Sequence, residues 1–312
     1  MFGPLLSAIA CLACLILIGF IGGKLKIIDA VSTERLSVLV MKIGQPFLII
    51  NSIISQQYSP ERLKIGLSIT LLGVCMHACM AVVAYFLSKP IKQFDARKIS
   101  RYAMFFANCG FIGFPIAESV LGKEGLFYGA FFILSFHLFV WTLGIVILAE
   151  GRKDIKITPK SIFLNFGTVP CAIGFLIFVT RLPLPDFVLT LSSYLAGICT
   201  PLSILIAGSN IARRNLKAMF TNKTIYFTAF VKLIFMPLAV STVLWLIGLP
   251  DYMVIFGTIM AAMPSASVAT MFGEMYRIDP GYAAELVGTS TILCTFTILP
   301  MVTYAQWLCS LR

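Results

Sequence analysis

Ten long apolar runs dominate this sequence of 312 residues and constrain its fold more than any other feature. The hydrocarbon core of a bilayer requires about 20 predominantly apolar residues in each helix that crosses it. Ten such runs leave short loops and no room for a soluble domain. The sequence therefore predicts an all-α membrane protein with ten transmembrane helices. The predicted spans, numbered 1 to 10 in chain order, are residues 5–23, 36–54, 65–87, 100–121, 125–149, 162–180, 187–209, 224–247, 252–274 and 285–308.

The scarcity of charge agrees with this interpretation. Charged residues make up 12% of the sequence, whereas soluble domains contain about 25%. This composition excludes an ordinary soluble globule, a nucleic-acid binder and a disordered chain. Several of the cysteines, such as Cys11, Cys14, Cys75, Cys79 and Cys294, lie inside apolar runs, where we interpret them as small core residues. We expect no metal, no cofactor and no enzymatic activity.

Lysine and arginine are distributed unevenly among the predicted loops. With the N terminus placed outside, the cytoplasmic loops carry seventeen of these residues and the outer loops carry five. Positive charge accumulates on the cytoplasmic side of membrane proteins. The sequence therefore predicts that both termini lie outside the cytoplasm.

The two halves of the chain share features at an offset of about 155 residues. Gly19-Phe20 corresponds to Gly174-Phe175, and Pro46 in span 2 corresponds to Pro201 in span 7. Each half holds five spans, and an odd number reverses the orientation of the second half, as in the inverted repeats of secondary transporters. We predict one repeat over residues 1–149, a cytoplasmic linker over 150–161 and a second repeat over 162–312.

Spans 4 and 9 contain residues that do not suit a continuous helix. Span 4 includes Gly110, Gly113 and Pro115, and span 9 includes Met263-Pro264. Glycine weakens a helix interior, and proline removes a backbone donor and clashes with the preceding turn. We predict that both spans unwind near the middle of the membrane and that span 4 restarts with Pro115 at the first helical position.

The predicted breaks would create an anion site. Each restarted helix would direct its N-terminus, with unpaired N–H groups and a partial positive charge, toward the midplane. Asn108 would add an amide, and Ser265 and Ser267 would add hydroxyl groups. The residues predicted to bind the substrate are these three together with Gly110, Gly113, Pro115 and Pro264 of the broken spans and Gln45 and Pro46 of span 2. A substrate carboxylate suits this arrangement better than a cation does. Close helix packing by the glycines and simple kinks at the prolines are the alternatives.

Two ionisable residues lie deep in predicted spans. Lys232 in span 8 could act as a counter-charge for an anion or replace a bound cation, and His77 lies at the equivalent position of span 3. Imidazole titrates near neutral pH, so His77 could carry a coupling proton, or it could be a hydrogen-bonded interior residue. We consider His137 a weaker candidate. Gln45 could coordinate a cation or bond between helices.

The segment from Asn108 to Pro115 resembles the span 4 signature of the auxin efflux carrier family. Met263–Ser267, the turn from Tyr276 to Asp279, Gly288–Thr291 and the segment from Gln45 and Pro46 to Leu48 agree with it. This family includes plant auxin exporters and bacterial malate and malonate carriers. The resemblance implies that spans 4 and 9 cross at the substrate site, that spans 1, 2, 6 and 7 form a scaffold, and that spans 3–5 and 8–10 form a moving transport domain. The short 150–161 segment favours the bacterial branch and the plasma membrane.

The function expected from these features is secondary transport of a small organic anion by alternating access. The substrate would be a dicarboxylate such as malate or malonate, or another carboxylate, and a proton or sodium gradient would drive transport. A cation/proton exchanger, a channel and a receptor on the same scaffold are the alternatives. The exchanger is disfavoured because no acidic residue lies in the middle of a span. A homodimer is left open, and the expected partners are the anion and the lipid bilayer, with no nucleic acid.

Overall fold

The structure, a computed structural model, describes residues 2–151, 164, 166–213, 221–275 and 277–312. Outside this part lie most of the predicted linker over 150–161, the start of predicted span 6, several of the basic residues predicted to be cytoplasmic, and Tyr276. The α-helical segments, numbered in chain order, are α1 Phe2–Lys24, α2 Ala30–Leu39, α3 Gln45–Ile54, α4 Pro60–Ser88, α5 Phe94–Phe105, α6 Phe114–Leu121, α7 Lys123–Phe139, α8 Ile145–Ala149, α9 Thr168–Thr180, α10 Asp186–Gly197, α11 Cys199–Ala212, α12 Lys223–Phe230, α13 Met236–Leu246, α14 Asp251–Ala262, α15 Val268–Met275 and α16 Pro280–Cys309.

The described residues form an all-helical membrane protein, as predicted. Six helices are long and apolar enough to cross a membrane, and four shorter apolar helices lie at the other predicted runs. The six are Ala30–Ile54, Pro60–Ser88, Lys123–Ala149, Asp186–Ala212, Lys223–Leu246 and Gly281–Cys309; the four are Ile9–Lys24, Cys109–Leu121, Thr168–Thr180 and Asp251–Ala262. The inverted relation between the two halves stays a prediction.

Spans 4 and 9 are broken, as their glycine and proline content predicts. The chain leaves the α-helical conformation after Phe105 and again after Ala262. The prediction that span 4 restarts at Pro115 is wrong. The restart comes at Cys109, as a π-helical turn over Cys109–Gly113, and Pro115 is the second residue of α6.

Pro115 belongs to a pattern that recurs in the fold. Four π-helical turns occur in the described residues, at Val40–Gly44, Cys109–Gly113, Val140–Gly144 and Val231–Phe235. Three of them are followed by a proline at the second position of the next α-helix, namely Pro46, Pro115 and Pro237. A proline ring clashes with the carbonyl group four residues earlier, and a π turn widens the helix there. The helices therefore accommodate these prolines without ending.

Close backbone packing joins α1 to α11. A Cβ atom on Gly19 would lie 2.3 Å from the carbonyl oxygen of Leu205, and one on Gly208 would lie 2.1 Å from that of Ile16. Small residues allow membrane helices to approach in this way. Gly19 in span 1 and Gly208 in span 7 therefore allow the backbones of α1 and α11 to come into contact.

The interior is rich in aromatic residues and lies around the two broken spans. Tyr102, Phe105, Phe106, Phe256 and Phe272 are almost fully buried there. The interpretation of the cysteines in apolar runs as core residues holds for Cys294, which is buried. It is wrong for four others, because apolar residues of a membrane protein also face outward; Cys11, Cys14, Cys75 and Cys79 are exposed.

Candidate functional site

The two broken spans cross through their extended segments. Ala107 and Ser265 pair as an isolated antiparallel bridge. The backbone N–H of Asn108 donates to the carbonyl oxygen of Pro264 at 2.8 Å, and the N–H of Ala266 donates to that of Phe106 at 3.0 Å. Unwound backbone inside a membrane must find such partners within the protein. Each break therefore satisfies backbone groups of the other.

Asn108 connects the two helices that begin at the crossing. Its Oδ1 accepts a hydrogen bond from the N–H of Phe111 at 3.3 Å and so caps the first π-helical turn. Its Nδ2 donates to the hydroxyl group of Ser267 at 3.1 Å. Ser267 immediately precedes α15, and its carbonyl oxygen accepts from the N–H of Thr270. The predicted proximity of Asn108 and Ser267 is thus present as a direct bond.

Ser265 has a different environment. Its side chain is buried, and its hydroxyl group donates to the carbonyl oxygen of Ala103 at 3.2 Å. Its backbone N–H donates to the hydroxyl group of Ser290 at 3.2 Å. These bonds connect span 9 to spans 4 and 10, so Ser265 stabilises the crossing of the two broken spans. Ser290 belongs to the Gly288–Thr291 segment, but the sequence alone assigned it no role.

A cavity lies beside the Asn108–Ser267 pair. It is small and open at its mouth, with about 20 Å³ of space free for the centre of a water molecule. Its polar side chains are Gln45, Asn108 and Ser267, and Gly110 also borders it. No acidic or basic residue is among its lining residues, which are completed by Leu48, Ile49, Cys109, Phe111, Phe114, Ile133, Phe136, Ala266 and Val268.

The other predicted site residues, which belong to the broken spans and to span 2, do not line this cavity. A Cβ on Gly113 would lie 3.3 Å from the side chain of Met260, so this glycine packs span 4 against span 9. Pro264 borders a second, apolar cavity beside α1 and α16. Pro46 and Pro115 follow π turns and border neither cavity. These residues shape the crossing rather than the cavity wall.

Lys232 is fully buried, and its Nζ donates to the carbonyl oxygen of Ala261 at 3.0 Å. Ala261 lies in the last turn of α14, where free carbonyl groups carry a partial negative charge. The Sγ of Cys294 lies 3.6 Å from the next carbonyl oxygen, that of Ala262. Lys232 therefore places its positive charge on the end of the helix that leads into the break in span 9, and it does not line the cavity of Asn108.

His77 also lies beside a broken span, but its bonds differ. Its Nδ1 is 2.7 Å from the carbonyl oxygen of Gly73, one turn earlier in α4. Its ring packs 6.3 Å from that of Phe106, the residue that follows α5, and contacts three further phenyl rings, those of Phe132, Phe136 and Phe139. Only Lys232 of this predicted pair therefore reaches a carbonyl group at the end of a broken helix.

His137 has a more direct relation to the cavity than the sequence suggests. Its Nε2 lies 3.3 Å from the Nε2 of Gln45, which lines the cavity. Ile133 lines the cavity too, and residues four apart share one face of a helix. Only the tertiary structure shows that Ile133 faces the cavity, so the sequence alone held no signal that placed His137 beside it.

The described residues contain no group of three or more His, Cys, Asp or Glu side chains that could hold a metal ion. The Asn108 cavity itself offers amide and hydroxyl groups and the first turns of two helices. Such groups bind an anion by donating hydrogen bonds to it.

Comparison with known proteins identifies the family of this chain. The family described as membrane transport protein matches residues 4–168 and 159–302. An uncharacterized transporter of Methanocaldococcus jannaschii is 24% identical over 304 residues, which cover 94% of this chain and 95% of the relative. An uncharacterized transporter of Methanothermobacter thermautotrophicus is 23% identical over 287 residues, which cover 89% and 91%. The chain belongs to the membrane transport protein family, which is the auxin efflux carrier family that its broken-helix signatures resemble.

Proposed function

We propose that this protein is a secondary transporter of a small organic anion and that the cavity beside Asn108 is its substrate site. The observation that carries this proposal is the convergence of two helix beginnings on one cavity without acidic side chains. Gly110 and Phe111 come from the first turn of one helix, and Ser267 and Val268 come from the start of the other. Both ends contribute partial positive charge to the same space.

The lining of the cavity also bears on the chemistry of the anion. Its polar groups suffice for one carboxylate, and its remaining side chains are mostly leucine, isoleucine, valine and phenylalanine. A second carboxylate would be buried without a basic partner, which is costly. This lining favours a monocarboxylate with an apolar body over malate or malonate, which remain the alternative substrates.

The proposed architecture consists of ten helices in two inverted repeats, residues 1–149 and 162–312, joined by 150–161. Helix packing supports a division into scaffold and transport domain. Helix α1 packs against α11, and α3 packs against α9 and α10, so spans 1, 2, 6 and 7 associate with each other. Helix α4 packs against α5 and α7, and α14 packs against α13 and α16, within spans 3–5 and 8–10. Movement of the second group against the first would alternate access to the cavity.

The placement in the membrane is part of the proposal. Both termini would face outside the cytoplasm, in a bacterial plasma membrane. Basic residues gather where α4 ends and α5 begins. Arg101 forms an ion pair with Glu150 at 2.8 Å and donates to Ser88 at 3.0 Å. An excess of basic residues at one end of the helices is typical of the cytoplasmic side. A homodimer and coupling to a proton or sodium gradient complete the proposal.

Uptake into proteoliposomes tests the proposed function. The purified protein would be reconstituted and supplied with radiolabelled indole-3-acetate, malate and malonate, each with and without an imposed pH gradient. Saturable uptake that empty liposomes lack supports a carrier, and the order of the three rates tests the preference for a monocarboxylate. Binding of all three without flux would overturn the proposal in favour of a receptor, and unitary currents above carrier turnover would favour a channel.

Cation/proton exchange is the alternative function for a protein with this fold, and the same proteoliposomes test it. An exchanger would acidify or alkalinise the lumen when sodium is added without any carboxylate. The buried ammonium group of Lys232 at the end of α14 opposes the binding of a cation there. Sodium-dependent proton movement without an anion would therefore overturn the anion proposal.

A further inference from the structure

We propose that His137 is the residue whose protonation is linked to anion binding, and that Gln45 transmits this link to the cavity. The proposal rests on the proposed function, because it assigns a proton to the same anion site. It assigns the role first considered for His77 to a different histidine.

The position of the pair is the first argument. Gln45 borders the cavity of Asn108 and also a smaller neighbouring cavity, with about 10 Å³ of space free for the centre of a water molecule. His137 borders the neighbouring cavity, and Phe136 and Val268 border both. The bond between Gln45 and His137, 3.3 Å long, thus lies in the wall between the anion cavity and a second space.

The unsatisfied bonding of His137 is the second argument. The side chain is buried, and its Nδ1 has no hydrogen-bond partner among the described residues. Gly167 closes this side of the ring so tightly that a Cβ there would lie 2.2 Å from Nδ1. A buried polar atom without a partner is uncommon and calls for an explanation. When Gln45 donates to Nε2, Nδ1 carries the ring hydrogen, and it carries one in the protonated ring as well, so the proton that is gained and lost is the one on Nε2, beside Gln45.

The two protonation states of His137 place different demands on Gln45. A neutral ring whose Nε2 is unprotonated accepts a hydrogen bond from the amide NH₂ group of Gln45. A protonated ring donates from both nitrogens, so the Gln45 side chain must present its oxygen to Nε2. The amide then turns its NH₂ group away from the ring, where it can donate to a carboxylate in the cavity. Protonation also adds a positive charge beside the cavity, so both effects favour the bound anion.

Among the residues that border the neighbouring cavity, His137 is the one with an ionisable side chain. The other residues of the neighbouring cavity are Met41, Val140, Trp141 and Phe166, with Gly167 and Val268, and none of them is charged. Lys42, on the same π turn as Met41, has an exposed side chain, and its Nζ lies 5.9 Å from the centre of the Phe166 ring. From α4, His77 contacts α7 through Phe132 and Phe136.

His77 lacks the geometry for this role. Its Nδ1 lies near the carbonyl oxygen of Gly73 and the hydroxyl group of Ser135, which borders neither cavity, and phenyl rings enclose the imidazole. It borders neither cavity. A proton on His77 therefore has no described path of hydrogen bonds to the anion site, which makes His77 the matched control for His137.

The experiment compares the wild type with His137→Gln and His77→Gln in proteoliposomes. Two rates are measured for the best of indole-3-acetate, malate and malonate: uptake driven by an inward proton gradient, and exchange of labelled for unlabelled anion at equal pH. We expect His137→Gln to lose the stimulation by the gradient and to retain exchange. We expect His77→Gln to keep both.

A binding measurement covers the case in which His137→Gln does not fold. Anion affinity of the wild type should fall by up to about tenfold for each pH unit of increase, as one linked proton requires. Gln45→Leu should abolish this pH dependence while leaving His137 in place. The inference is overturned if the proton gradient still stimulates uptake by His137→Gln or by Gln45→Leu. It is also overturned if wild-type transport does not depend on pH, an outcome that leaves the carrier function intact. A wild type that moves no carboxylate would overturn the proposed function itself.

Discussion

The backbone N–H of Asn108 donates a 2.8 Å hydrogen bond to the carbonyl oxygen of Pro264, which lies 156 residues later in the chain. This bond joins the break in span 4 to the break in span 9. It also brings Asn108 within 3.1 Å of Ser267, so that the two helices which begin at the crossing share one polar contact. The substitutions below separate what this crossing contributes to stability from what it contributes to transport.

Asn108→Ala should lower the rate of carboxylate uptake by about tenfold or more, because the amide faces the cavity as well as capping a helix. Loss of the cap alone should cost about 0.5–2 kcal/mol. Asn222→Ala provides the matched control, because Asn222 caps α12 through the N–H groups of Thr224 and Ile225, away from the cavity. It should destabilise the protein to a similar extent and leave uptake intact. Equal loss of uptake in both variants would contradict a binding role for Asn108.

Lys232→Met should lower the apparent melting temperature in detergent. The substitution leaves the carbonyl group of Ala261 without its donor, and a hydrogen bond to a charged group contributes about 1.5–3 kcal/mol. Lys42→Met is the control, because the side chain of Lys42 is exposed and should tolerate the change. Differential scanning fluorimetry measures both. An unchanged melting temperature for Lys232→Met would mean that the buried ammonium group does not stabilise the end of α14.

Pro115→Ala should reduce transport while the protein still folds. Alanine restores a backbone N–H and removes the ring, so the π turn over Cys109–Gly113 can relax toward a regular α-helix. Such a change rotates Gly110 and Phe111 relative to the cavity they line. Pro300→Ala, in the continuous helix α16, tests whether loss of any membrane proline has this effect. The explanation fails if the two variants impair uptake equally.

Gly208→Ala should destabilise the protein by about 1–3 kcal/mol, the usual cost of overpacking. The added Cβ would lie 2.1 Å from the carbonyl oxygen of Ile16 and force α1 and α11 apart. Gly197→Ala is the matched control in α10, because a Cβ there meets nothing within 4 Å. Thermal unfolding in detergent should separate the two variants. A neutral Gly208→Ala would show that the α1–α11 contact yields easily.

The order of apolar runs and breaks was accessible from the sequence because it depends on local chemistry. Long apolar stretches predict helices, and the glycines and prolines of spans 4 and 9 predict interruptions. The start of the second half of span 4 was misplaced by six residues, from Cys109 to Pro115. Sequence rules treat proline as a beginning, whereas a π turn lets the helix continue through it.

Which residues line the cavity could be learned only from the tertiary structure. From residue type alone, Ser265 and Ser267 are equivalent hydroxyl donors, yet one is bonded to the backbone of Ala103 and the other faces the cavity. His77 and His137 are likewise two histidines in apolar helices, and only His137 meets Gln45. The direction of a side chain across a helix interface follows from packing between distant segments.

The sequence by itself determined that this protein is a helical membrane protein with two interrupted spans, because hydrophobicity and backbone propensity act over neighbouring residues. Only the tertiary structure decided that Asn108, Ser267 and Gln45 line one cavity, that His137 bonds to Gln45 from the neighbouring cavity, and that Lys232 caps the end of a helix. Contacts between residues far apart in the chain arise from the crossing of the broken spans, and no local pattern encodes which side chains that crossing brings together.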